Sequence, residues 1–171
     1  MPKTKWVEKK FNFDLSQEDF NSILERLKRT PELIEQLVYS ISPKILKRKI
    51  DDSWSIQEHI GHLIDLEELH EGRIDDFING TEELREADMT NKKTHEASHN
   101  RKEIIDLLQE LRITRGKFIK RLEELDDSVL SHVSIHPRLN QPMRPIDMVQ
   151  FVAEHDDHHI NSIIDLSERL S

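Results

Sequence analysis

Apolar residues recur at helical spacing in four stretches of the chain. From Ser16, with Asp19 three residues on, Phe20, Ile23, Leu24 and Leu27 share one helix face, and Leu33, Ile34, Leu37, Val38 and Ile41 continue the stripe. Thr30-Pro31 in its middle reads equally as a kink in one helix or as the N-cap and first residue of another, and Ser42-Pro43 ends the segment either way. A second helix opens at Ser55, with Glu58 in the capping-box position. It carries Ile56, Ile60, Leu63, Ile74, Phe77 and Ile78 to a stop at Asn79-Gly80. Thr81 to Lys102 is polar, with scattered apolar residues, and reads as a long connection. A third helix is predicted from an Asn100 cap with Glu103 as its partner, through Ile104, Leu108, Leu111, Phe118, Ile119, Leu122 and Leu125, closing near Asp126-Asp127. The stretch from Ser131 to Pro145 holds three prolines and reads as irregular. Pro145 then starts a fourth helix with Met148, Val152, His155, His159, Ile163 and Leu166 on one stripe. Helices of this kind pack as a bundle, whose sites are built from side chains that project inward.

Composition supports an all-α protein: charged residues make up 35% of the 171 positions, against only 4 Gly and 6 Pro, which suits amphipathic helices and not a turn-rich β fold. The length predicts a single domain over 1–171, with 1–15 as an N-terminal extension. A net charge of -9 repels phosphate backbones, and only the short Lys44 to Lys49 stretch is basic, so nucleic acid is not an expected partner. Cysteine is absent, which excludes disulfides, thiolate ligands and a cysteine nucleophile and leaves histidine and carboxylates for any metal. The start, Met1 to Trp6, has no apolar targeting core, and no apolar run is long enough to span a bilayer. A cytoplasmic protein acting on a small molecule, without membrane contact, is expected.

The candidate chemistry lies in the histidines. Ten in this length would give roughly 0.6 pairs at i, i+4 by chance, yet three occur: His95/His99, His132/His136 and His155/His159. The third pair sits on a stripe that otherwise faces the core, where two imidazoles are costly unless something satisfies both, and a shared metal ion would. His158 lies on a neighbouring line and reads as solvated or as support for the pair. His95-Glu96-Ala97-Ser98-His99 has the spacing of a zinc metalloprotease motif, but its flanks are polar and it reads as a solvated loop or helix start. His132/His136 precedes Pro137 in an irregular segment and reads as structural. A further ligand would come from His59, His62 or His70 of the second helix. Periodicity favours His59, since His62 lies to the side of the stripe.

Trp54-Ser-Ile-Gln-Glu-His-Ile-Gly-His-Leu-Ile-Asp-Leu-Glu67, followed far downstream by Glu154-His-Asp-Asp-His-His-Ile160, resembles the DinB superfamily, over about Phe20 to Ile164. The resemblance implies an up-and-down four-helix bundle with an unusual connection order and a metal site made of His62, His155 and His159, replacing the periodicity-based choice of His59. It implies a divalent ion such as zinc or nickel, and a hydrolase or an S-transferase using a low-molecular-weight thiol, acting on a small electrophile; homodimers are common in such families. Three neutral imidazoles with an open position would suit catalysis, since the ion lowers the pKa of bound water or holds a thiolate. No general base stands out. Glu58, Asp65, Asp156 and His158 adjoin the ligands, and the carboxylates among them read first as solvated helix charges. Asp88, Asn91, His136, Pro137 and Arg138 also match the family and could line a pocket. The alternative reading is a non-catalytic metal-binding or stress-response bundle.

Overall fold

The computed structural model describes residues 5–171. Its main elements are α1 (Phe20–Ser40), α2 (Ile56–Ile78), α4 (Ile104–Glu123) and α6 (Pro145–Leu170), with short helices α3 (Lys92–Glu96) and α5 (Asp127–Leu130) in the connections. A hairpin of β1 (Ser134–His136) and β2 (Gln141–Met143) pairs antiparallel, Ser134 opposite Met143 and His136 opposite Gln141. Of the N-terminal extension, Met1 to Thr4, where part of the absence of a targeting core was read, lie outside the described residues.

The helices begin where their caps place them. Ser55 accepts from the Glu58 N–H at 3.1 Å while the Glu58 carboxylate accepts from the Ser55 N–H at 2.8 Å. Pro145 takes the first turn of α6, and Gly80, at φ 63°, ends α2. The ambiguity at Pro31 resolves as one continuous helix. A proline cannot donate to the carbonyl four residues back, so Leu27 O is released, and it accepts from Arg115 Nη1 of α4 at 3.2 Å. The third long helix starts later than its pattern predicts. Glu103, not Asn100, is its N-cap, because Asn100 lies in a 3-10 turn over His99–Arg101 and its Oδ1 accepts the Ser55 hydroxyl at 2.7 Å.

Both α1 and α2 pack chiefly on α4 and α6, so α1 sits across the bundle from α2 and α4 across from α6, whereas α2 and α4 lie side by side. The long connections make this order feasible, and neither is unstructured. The first carries α3 and a parallel bridge from Glu83 to Ile135, and the stretch predicted as irregular contains the β1-β2 hairpin. The core has two apolar halves. One gathers Leu27, Ile74, Phe77, Phe118, Ile146 and Val152; the other gathers Ile34, Ile56, Ile60, Leu107, Leu111 and Ile163. Along every long helix the polar residues Thr30, Glu67, His70, Arg115, His155, Asp156 and His159 are buried between them.

Candidate metal centre

His155 and His159, one turn apart on α6, project inward from the level where the two apolar halves part. Their Nε2 atoms lie 3.1 Å apart. From α2, His62 reaches the same point, so that one ring nitrogen from each of the three lies within 4.8 Å of the others, all three residues being buried. Among the described residues no other group of three histidine or acidic side chains converges in this way. Burial pushes His62 down to about 4 and holds His155 and His159 well below the ordinary histidine range, so the rings are neutral at pH 7, the form a metal requires. The geometry fits an ion. Two nitrogens 3.1 Å apart can both bond one metal at about 2.0–2.1 Å with an angle near 100°.

The opposite edges of His62 and His159 are held from behind, whereas Nδ1 of His155 is buried without a hydrogen-bond partner. Thr94 donates its hydroxyl to Asp65 Oδ2 at 2.8 Å, so its oxygen, 3.1 Å from His62 Nδ1, accepts the proton there and leaves Nε2 of His62 bare. His99 Nε2 lies 2.8 Å from the same Asp65 oxygen. His159 Nδ1 meets His59 Nδ1 at 2.8 Å, so His59 touches the cluster from outside and does not belong to it. Trp54 packs 4.6 Å from His62, and Trp6 packs 4.9 Å from His155, ring centre to ring centre. All three histidines line a cavity of about 520 Å³, whose walls also include Asp88, Asn91, His136, Pro137 and Arg138. His158 is half-buried on the same wall, and His70 is buried beside Phe118.

As their polar flanks predict, His95 and His99 do not form a metalloprotease helix: α3 ends at Glu96, Ser98 adopts a left-handed φ of 53°, and the two histidines part. Other expectations need correction. His95 is exposed as expected, but His99 is buried, because Gly61 of α2 lets its ring approach to where a Cβ would stand at 2.2 Å. Asp156 is no solvated helix charge. It is buried, takes two hydrogen bonds from Arg115 at 2.6 and 3.0 Å, and accepts from Thr30 at 2.8 Å. Asp65 spends its carboxylate on Thr94 and His99, whereas Glu58 serves the α2 cap and pairs with Lys49. Trp6 and Thr94 were not singled out from the sequence, since each stands in a polar segment without periodicity.

A four-helix bundle with three inward histidines around a cavity defines a class of helical proteins whose core could hold a transition metal. The chain belongs to the DinB superfamily, whose model matches residues 26–163. Among solved structures it is similar to YfiT from Bacillus subtilis, described as a probable metal-dependent hydrolase with an unusual four-helix bundle topology. The TM-score is 0.74 at 22% identity, with 95% of this chain and 93% of that chain covered. Among curated proteins none matches the sequence.

Proposed function

We propose that the protein is a metal-dependent enzyme, a hydrolase or a low-molecular-weight-thiol S-transferase, acting on a small-molecule electrophile. His62, His155 and His159 hold a divalent transition metal, with zinc or nickel the expected ions because imidazole donors disfavour magnesium and calcium. The observation that carries this reading is the convergence of three buried, neutral imidazoles on the wall of a cavity large enough for a small substrate. Such an ion, when bound, supplies a hydroxide or a thiolate near neutral pH. His62 presents Nε2 because Thr94 takes its Nδ1 proton, His59 meets the Nδ1 of His159 on the edge away from His155, and Trp6 and Trp54 line the cavity beside the site. That no fourth histidine or carboxylate joins the cluster among the described residues favours catalysis over a closed structural ion. The description of YfiT supports the same reading. We place the protein in the cytoplasm without a nucleic-acid partner; no helix of the described residues is long and apolar enough to cross a membrane.

The test is the metal content of untagged protein. Wild type and His95→Ala are expected to carry about one equivalent, and His62→Ala and His155→Ala to lose it. Protein without metal, whose melting temperature is unmoved by added zinc or nickel, would return the chain to the non-catalytic alternative.

A further inference from the structure

The cavity holds a second polar group besides the histidine cluster, and it is cationic although the chain is acidic. Arg73, on α2, is 2% exposed and donates Nε and Nη2 to the Arg85 carbonyl at 3.2 and 3.1 Å. Its Nη1 meets no acceptor and no carboxylate oxygen lies within ion-pair distance among the described residues, since the nearby Asp76 is taken by Arg85, so Nη1 is left facing the solvent of the cavity. Arg138, just past β1, donates Nη1 to the Val7 carbonyl at 3.0 Å and lies over the rings of Trp6 and Phe151 at 5.9 and 5.6 Å. Its Nη2 is buried without a partner. His136 is 2% exposed and accepts the Leu139 N–H at Nδ1, 3.2 Å away. A neutral ring bonded in that way carries its proton on Nε2, and that atom too is buried without a partner. Burial pushes Arg73 down to about 10 and lowers Arg138, as expected of cations short of counter-charge.

Three donors with no acceptor thus line one cavity with the metal-competent histidines. Its carboxylates, Glu86 and Asp88, are exposed at the rim, and Asp88 is occupied by Thr90 and Lys92. Trp6 touches both groups, 4.9 Å from His155 and 5.9 Å from Arg138, so one aromatic ring separates them. Two of the three, Arg138 Nη2 and His136 Nε2, are buried and costly to leave unpaired, and a planar anion satisfies guanidinium forks.

We propose that the substrate is a small organic carboxylate whose anionic group is held by Arg73, Arg138 and His136 while its reactive end faces His62, His155 and His159. This rests on the proposed function for the reactive end and on the unpaired donors alone for the anionic end. Both tryptophans of the chain line the cavity, so their fluorescence reports its occupancy. Acetate, benzoate and phenylacetate would be titrated against acetamide, benzamide and phenylacetamide, into metal-loaded and chelator-treated protein. At least one carboxylate is expected to bind about tenfold or more tighter than its amide. The preference should persist without metal, fall in Arg138→Gln and return in part in Arg138→Lys, at unchanged metal content. No preference in any pair up to roughly 10 mM, or a preference that Arg138→Gln leaves intact, overturns the proposal. Loss of the preference on chelation alone also overturns it, by assigning the carboxylate to the ion. A preference in protein that never takes up metal upholds the anion site and overturns the metal reading.

Discussion

Which nitrogen of an imidazole is free to take a metal depends on what the other nitrogen touches. At His62 that contact is Thr94, a residue of α3 brought to α2 by the turn of the connection and held by Asp65. Thr94→Val keeps the shape but removes the acceptor for His62 Nδ1–H, strands a buried donor and frees the ring to change tautomer. Metal affinity is expected to fall about tenfold, within the range such outer contacts command, with the helical content unchanged. A competition titration against a chelator reads this, and an unchanged affinity would make Thr94 a packing residue only. His62 and His159 could be found from their motif. Thr94, His59 and His99 could not be assigned their contacts, because these run between segments 32 to 100 residues apart.

Among the elements, the four long helices share a buried polar level as well as their apolar faces. Arg115 of α4 is its hub, donating to Glu67 of α2 at 2.6 Å, to Asp156 of α6 at 2.6 and 3.0 Å and to the Leu27 carbonyl that Pro31 releases on α1. Each helix contributes one partner, so the guanidinium fixes their mutual register directly behind His155 and His159. Arg115→Met fills much of the same volume but leaves two carboxylates buried without a cation. It is expected to destabilise the metal-free protein by roughly 3–5 kcal/mol in denaturant unfolding. A loss below about 1 kcal/mol would show that the level is tolerated and not required.

For the whole molecule, stability should depend on pH through two opposed sets of groups. His59 and His62 are pushed down to about 4, His136 to about 3, and His70, His155 and His159 well below their ordinary value, all by burial. A depressed histidine adds stability that is present above 6.5 and is lost as pH falls through the folded value, so the metal-free protein should weaken steeply from about pH 6.5 towards 4. Glu67 acts the other way: burial outweighs Arg115 and raises it from 4.5 to about 7. Its contribution is present below 4.5 and lost as pH rises through about 7. Glu67→Gln should therefore gain on wild type between about pH 4.5 and 7 and hold a constant difference above, in paired denaturant titrations. A difference independent of pH would mean that Glu67 is ionised throughout and fully paired.

Four amphipathic stripes, the Ser55 cap and the Pro145 start are local patterns, written in residues close together along the chain, and the sequence alone determined them. The same holds for His155 and His159, since one turn of helix brings i and i+4 together. Tertiary structure decided the rest. Pro31 sits inside one continuous helix, and Arg115 takes the carbonyl it releases; His62 and not His59 joins the pair because the cavity opens to the side of α2; and His99 is buried because Gly61 has no side chain. The crosswise order of the helices likewise depends on connections whose structure comes from contacts with α2 and the hairpin, such as Arg85 on Asp76 and Leu84 on Ile135. Periodicity reports which way a residue faces on its own element, whereas a site is made by what the other elements bring to meet it.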